Sequence, residues 1–410
     1  MADTASQESP REPPSTPLKT LVLVLGACGF ASTFTMRIID PLVPTLADHF
    51  GRSIAQIAAM ATAFSFSYAF GQPVLGPIAD AVGKIRTIGT CLALLVLLSI
   101  AASFAPNFEA LLALRAASGV VAGGIIPIAM AAIGDRASMT ERQITLGRFT
   151  VIMIIGQMAG AACSGAIAEY VGWRGVFVMA GGIAALAFLM LVLTMKPRRN
   201  AVRARPSLGG AIASYAAVFS NPRSKILYAL VITEGSLIFG MPPFVAAILQ
   251  ERAGIGPSLA GLVIAGTGIG GLIYGLTTRI LVERIGPKRM PVIGGALMAI
   301  GYVLFALPFL PWWTALIFFA VNGFGFFLMH GTFQAQATEL APGARGSAMS
   351  LFACSLFAGH ALGPVLMGTA LVFLGVPGAI LFFAIAIGLL GFFAPRILPM
   401  LGSAEAQRPR

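Results

Sequence analysis

A few ionisable side chains in this sequence stand inside long apolar runs, where charge is expensive unless it is paired or put to use. Arg37 and Asp40 are three apart, so on a helix they share a face. The sequence puts them near the outer end of the first apolar run. There they form either an interfacial ion pair whose arginine reaches out to water, or a proton site in which Asp40 loads on one side and unloads on the other. Arg115 lies six residues past Glu109, deep in another run, with no partner along its own helix. A permanent cation in that position must face water, a carboxylate or a substrate anion. Glu234 is the one acid in the middle of an apolar run of the second half. It holds a proton, finds a cation or water, or hydrogen-bonds a neighbouring carbonyl; the first two are what a proton carrier needs. Asn322 and His330 are eight apart, about two helical turns, and so are expected on nearly one face. His330 titrates near neutral pH or packs as a neutral hydrogen-bonding ring; His360 is a weaker candidate of the same kind. Tyr68, Gln72 and Gln157 add hydrogen-bonding groups for a ligand, and one or two phenylalanines near His330 are expected to line a cavity.

These residues have to be carried by membrane helices. Of 410 residues, 57% are hydrophobic and 10% charged, and the mean hydropathy is +0.89. A water-soluble chain of this length would need far more charge on its surface. Each crossing needs roughly 20 mostly apolar residues. Breaks at charge clusters, glycines and prolines give twelve spans: 18–40, 54–79, 85–104, 109–133, 145–168, 174–195, 225–249, 257–279, 288–308, 312–338, 346–372 and 376–398. The fold class is therefore an all-α membrane protein. Residues 1–17 and 399–410 read as polar cytoplasmic tails, the first disordered, with no cleaved signal peptide. Residues 196–224 read as a cytoplasmic linker between bundles at 18–195 and 225–398.

The chain is written twice. Moving 203 positions takes Asp80 to Glu283, Gly83 to Gly286 and Arg86 to Arg289. The same shift takes Asp48 to Glu251, Gly51 to Gly254, Arg142 to Arg345, Gly156 to Gly359, Gly160 to Gly363, Gly165 to Gly368 and Gly172 to Gly375. One long internal period held without slippage means two copies of one unit, parallel repeats of the sort found in secondary transporters. The ionisable membrane residues are not repeated: Arg115 falls on Phe318, Asp40 on Pro243, and Glu234 comes back to Ala31. Repeated residues read as scaffold and gate, unrepeated ones as the place where chemistry was specialised.

The net charge of +12 does not indicate nucleic acid, because the basic residues are scattered through short turns and not clustered on a soluble face. Most of the 27 lysines and arginines fall on one side if the N-terminus is cytoplasmic, which places both termini inside. Trp173, Trp312 and Trp313 then sit at the outer boundary. Cys28, Cys91, Cys163 and Cys354 show no metal-ligand spacing. The sequence carries no Walker A pattern for ATP drive and no Ser/His constellation at helical spacing, so neither a cofactor nor an enzyme is expected.

Between the second and third spans, Gly76-Pro-Ile-Ala-Asp80-Ala-Val-Gly83-Lys84-Ile-Arg86, with twelve spans in a 6+6 repeat, resembles the major facilitator superfamily. Leu111-Leu-Ala-Leu-Arg115-Ala-Ala-Ser-Gly119 resembles its fourth-helix motif. Gly156-Gln-Met-Ala-Gly160-Ala-Ala-Cys-Ser-Gly165 resembles its fifth-helix antiporter motif, with Ala161 where the family has proline; the proline stands in the second copy, at Pro364. Ile38-Ile-Asp40-Pro-Leu-Val-Pro44 is similar to the end of helix one in bacterial drug/proton antiporters. The resemblance implies two pseudo-symmetric six-helix bundles and alternating access in a bacterial inner membrane, by a carrier acting as a monomer. It also implies that Arg115 lies in the central cavity and modulates a nearby acid. The expected activity is proton-coupled efflux of small amphipathic or cationic organic compounds. Asp40, Glu234 and Arg115 would couple protons, and Arg37, Tyr68, Gln72, Gln157, Asn322 and His330 would bind substrate. Asp80, Gly83, Lys84, Arg86, Arg142, Glu283 and Arg289 would form the cytoplasmic gate, since a carboxylate at a turn gains from helix dipoles and from arginines across the turn. The alternative is import or exchange of a small organic anion, held by Arg37, Arg115 and His330. A receptor or channel that moves no substrate uphill is the competing class.

Overall fold

The computed structural model describes residues 17–137, 139–195, 208–341 and 345–398, with side chains at 139–144, 208–212 and 214 outside that description. The expected tails, save Pro17, the first part of the expected linker, and the side chain of Arg142 therefore lie outside the described residues. Regular structure among the described residues is helical throughout. The first half is α1 (Leu18–Arg37), α2 (Val43–Phe50), α3 (Ile54–Val82), α4 (Lys84–Ser103), α5 (Phe108–Gly134), α6 (Met139–Tyr170) and α7 (Trp173–Thr194). A short helix, α8 (Leu208–Phe219), occupies part of the linker and was not among the expected elements. The second half is α9 (Pro222–Phe239), α10 (Pro242–Ala253), α11 (Pro257–Arg284), α12 (Met290–Ala306), α13 (Thr314–Glu339) and α14 (Arg345–Ile397).

Ten of these stretches are long and apolar enough to cross a bilayer, and α12 is a shorter apolar helix of the same character. At 53 residues, α14 would run about 80 Å at ~1.5 Å per residue, far beyond a hydrocarbon core of about 30 Å. It divides at Gly375, whose φ of 66° leaves the helical region, and so supplies two crossings. The total is the twelve read from the sequence.

The repeat is legible in the backbone. Every residue with positive φ among the described residues is a glycine, and the six fall into three pairs 203 apart: Gly51 and Gly254, Gly83 and Gly286, Gly172 and Gly375. Side chains other than glycine resist that region, so turn geometry holds these positions in both copies. Helix starts are equally local. Ser53 and Gln56 close a capping box on α3, and the Asn107 side chain accepts from the Ala110 N–H at the start of α5.

In the first bundle α3 packs on α5, α1 on α6 and α4 on α7; in the second, α9 and α12 pack on α14 and α11 on α13. The bundles meet along α6 with α11 and α3 with α14. Large apolar side chains such as Leu97, Leu186, Leu276 and Phe373 are exposed on the outside. That surface belongs in lipid.

One boundary differs from the sequence reading in a way that matters for the site. The first span does not end at residue 40. It runs from Leu18 to Phe50 and is interrupted, with a 3-10 turn at Asp40–Leu42 between α1 and α2. Pro41 and Pro44 cause the break, since proline offers no N–H and its ring collides with the carbonyl four residues back. The seventh span is likewise longer than expected, Pro222–Ala253, and broken between α9 and α10 next to Gly240, Pro242 and Pro243. Arg37 and Asp40 therefore lie in the middle of a 33-residue element, not at its rim.

Candidate functional site

A helix interrupted in the buried interior leaves backbone carbonyls without partners at its end and a negative dipole pole there. At the end of α1 this pole attracts two arginines. Arg115, on α5 and 1% exposed, donates from Nη1 to the Thr35 carbonyl at 3.0 Å. Its guanidinium also lies 4.2 Å from the centroid of the Phe64 ring. Arg37 donates from Nη1 to Asp40 Oδ2 at 3.0 Å and from Nε to Gln157 Oε1 at 3.4 Å. Asp40 is 2% exposed and sits within the electrostatic reach of both arginines. The arrangement is a buried triad of two cations and one carboxylate, assembled around a broken helix.

The second half has a separate pair. Glu234, on α9, has no exposed surface. Its Oε2 lies 3.0 Å from His330 Nδ1 on α13, while Oε1 has no partner among the described residues. His330 stacks on Phe326, centroids 4.8 Å apart, and leans on Phe352 at 4.9 Å. The sequence suggested these two residues separately; only the tertiary structure pairs them.

Between the bundles lies a cavity of about 150 Å³. Met36, Arg37, Ile154 and Gln157 line it from the first half, and Phe239, Phe326, His330, Phe357 and His360 from the second. Of the phenylalanines near His330, Phe326 and Phe327 do reach it. Three of its lining pairs are repeat mates: Met36 with Phe239, Ile154 with Phe357, and Gln157 with His360, each 203 apart. The cavity thus sits where the pseudo-symmetry axis must pass. His360 stacks on Phe239 at 4.2 Å, and Arg37 reaches across from the first half to lie 4.9 Å from the centroid of the same Phe239 ring. The sequence named His360 only weakly and Phe239 not at all; the signal available for His360 was the 203-residue shift that makes it the repeat mate of Gln157.

Several expected positions differ. Asn322 does not line the cavity; its Nδ2 donates to the Phe318 carbonyl and it packs toward Gly301 on α12. Eight residues at about 100° each overshoot two turns by roughly 80°, enough to turn Asn322 to a different neighbour from His330. Arg115 is not in the lining either, because the α1 carbonyl holds it behind that helix. Tyr68 and Gln72 are buried outside the lining as well, Tyr68 with its ring 4.2 Å from that of Phe357 across the bundle interface. At the turn between α3 and α4, Asp80 and Arg86 are both exposed and the ion pair is Lys84 with Asp135. In the matching turn, Glu283 pairs with Arg279 on its own helix and not with Arg289.

The two bundles are held differently at their two ends. At the end bearing Trp173, Glu169 Oε2 accepts from the Ser258 N–H at 3.0 Å. A Cβ on Gly165 would lie 2.2 Å from the Pro257 carbonyl oxygen, and one on Gly261 2.4 Å from that of Ala161. Toward the Lys84 end of the same interface helices, Gly76, Gly147, Gly275 and Gly346 would meet nothing within 4 Å. The bundles are closed at the first end and looser at the second.

Comparison with known proteins agrees with this architecture. A family model described as Major Facilitator Superfamily matches residues 25–364 and 235–408. An MFS-type transporter of Bacillus subtilis (strain 168), YceJ, is 26% identical over 337 residues, covering 81% of this chain and 84% of that protein. The multidrug export protein EmrB of Escherichia coli (strain K12) is 24% identical over 199 residues, 48% of this chain and 38% of its own. Among solved structures, a D-xylose–proton symporter superposes with a TM-score of 0.77 at 15% identity, over 94% of this chain and 99% of its own. The nucleoside transporter NupG does so with a TM-score of 0.74 at 16% identity, over 93% and 98%.

Proposed function

Because the chain belongs to the major facilitator superfamily, and is therefore a multi-pass membrane transporter, we propose that it is a proton-coupled secondary carrier of small amphipathic organic compounds, working by alternating access. One observation carries this reading: a cavity shared by the two bundles, with a buried ionisable cluster behind each wall. Two copies of one bundle, rocking about a site on their common axis, expose it to each side in turn. The moving bodies are taken as 18–195 and 225–398, joined by 196–224. Both termini are taken to be cytoplasmic, in a bacterial inner membrane, as the distribution of basic residues favours. The end bearing Lys84 is then the cytoplasmic one, and the looser packing there suits an inward-facing carrier.

Asp40 and Glu234 are the proton-binding acids in this scheme. Arg115 and Arg37 set the charge against which Asp40 loads, and His330 relays between Glu234 and the cavity. Gln157 orients Arg37. Tyr68, Gln72 and Asn322 support the surrounding packing and do not touch substrate. Asp80, Gly83, Lys84, Arg86, Arg142, Glu283 and Arg289 form the cytoplasmic gate. The exposed Asp80, Arg86 and Arg289 fit a gate that is parted and pairs only when the carrier turns outward. Export is the favoured direction, from the likeness of half the chain to EmrB. Arg37 in the lining favours, as a second reading, exchange or import of an organic anion.

Proteoliposomes carrying an imposed pH gradient test the proposal. Wild-type protein accumulates a labelled amphipathic compound against its gradient. Asp40→Asn and Glu234→Gln abolish accumulation yet retain solute exchange. Accumulation independent of the pH gradient, or unchanged in both variants, refutes proton coupling.

A further inference from the structure

The two walls of the cavity differ chemically. In each of the three repeat-related lining pairs the second half supplies a ring and the first half does not: Phe239 against Met36, Phe357 against Ile154, His360 against Gln157. The first half supplies instead Arg37, whose repeat mate is Gly240. Among the described residues no carboxylate lines the cavity; Asp40 and Glu234 both lie behind its walls. The guanidinium of Arg37 uses Nη1 on Asp40 and Nε on Gln157, leaving Nη2 without a hydrogen-bond partner among the described residues.

Several of the ring faces already carry a partner. One guanidinium and one imidazole already engage Phe239, Arg37 at 4.9 Å and His360 at 4.2 Å. Phe326 is stacked by His330 at 4.8 Å, and Phe357 lies against Tyr68 at 4.2 Å with the rings tilted by 35°. Aromatic faces are the negative part of the quadrupole and attract cations; edges are positive and favour other ring faces and electron-rich groups. A cationic guest would compete with the cations and imidazoles already placed against these rings and would meet Arg37, with no carboxylate in the lining to balance it. A guest with a flat ring and an anionic head would lay the ring among Phe239, Phe326 and Phe357 and direct the head to the free Nη2 of Arg37, a charge-assisted donor for a carboxylate oxygen. An apolar cavity near 150 Å³ accepts a benzene-sized ring.

We propose that the cavity selects small planar aromatic carboxylates over organic cations. This rests on the carrier reading above and narrows its substrate class, but binding in detergent tests it without any gradient. Three nearly isosteric probes separate charge from shape: benzoate, benzamide and benzylammonium, titrated calorimetrically against the purified full chain. Benzoate binds tightest, by at least about ten-fold over benzylammonium. Arg37→Gln weakens benzoate by about ten-fold or more and leaves benzamide within about two-fold. Arg37→Lys, which keeps the charge and loses the planar guanidinium, falls between and serves as the folded control if the glutamine variant is unstable. His360→Leu weakens benzoate and benzamide together. Equal or tighter binding of benzylammonium, no binding of benzoate up to about 10 mM, or a benzoate affinity indifferent to both Arg37 variants overturns the proposal. Benzoate binding in the expected order without proton-driven uptake would instead remove the coupling and leave the selectivity standing.

Discussion

The broken first helix of each bundle makes two regions with one backbone and opposite chemistry. Both breaks occur at the same point of the repeat, after Arg37 in the first half and beside Gly240 in the second. Both expose carbonyls that must be satisfied inside the membrane. The first half meets the need with charge: Arg115 donates to the Thr35 carbonyl, and Arg37 folds back on Asp40. The second half meets it with a neutral group, the Tyr302 hydroxyl donating to the Leu237 carbonyl at 3.0 Å. Its charge lies elsewhere, in the pair of Glu234 with His330. A buried helix break thus demands a donor but not a cation. The charged version in the first half is an addition beyond what the fold requires, which is the strongest physical reason to assign it a function.

The largest effect should come from unbalancing the charged break. Arg37→Leu leaves Asp40 buried beside Arg115 alone, and loss of one partner of a buried pair costs about 3–5 kcal/mol. Thermal unfolding in detergent should show a large fall in midpoint, substantially recovered in the double variant Arg37→Leu with Asp40→Leu. If the single and double variants are equally unstable, the pair is not what holds this break together.

An intermediate effect is expected where the bundles touch. Gly165→Ala places a methyl against a backbone carbonyl that has no freedom to rotate away. It should force the bundles apart at the Trp173 end and slow turnover severalfold. Gly275→Ala on the open stretch of α11 should leave the present conformation unaffected. Cysteine accessibility on the two sides of the membrane reads this directly, and equal labelling of both variants would mean that the tight contact does not gate.

The smallest effect belongs to the neutral break. Tyr302→Phe leaves the Leu237 carbonyl without this donor, a loss of about 1–3 kcal/mol of stability, and transport should persist at close to the wild-type rate. A transport defect as deep as that of Asp40→Asn would erase the distinction between the two breaks and make both of them functional.

Much of the frame was readable from residue types. Positive-φ glycines, turn charges and roughly 20-residue apolar runs are local constraints, so Gly83 with Gly286 and Gly172 with Gly375 announced the repeat before any packing was known. The charged positions were readable too, since Arg37, Asp40, Arg115 and Glu234 are conspicuous in apolar sequence. Their partners were not. The position of Asp40 within its element depended on how far α2 carries the span past Pro41 and Pro44, and the direction of Asn322 on an overshoot of roughly 80° that only a neighbouring helix turns into a different environment.

The sequence by itself determined twelve crossings, two copies, and which side chains are too costly to be idle, because each follows from the transfer of local groups into hydrocarbon. Tertiary structure alone decided that Arg115 serves a carbonyl and not the cavity, that Glu234 answers to His330, and that Gln157 and His360 face one another's bundle across the axis. Those outcomes depend on where separate helices come to rest, and no single stretch of chain holds that information.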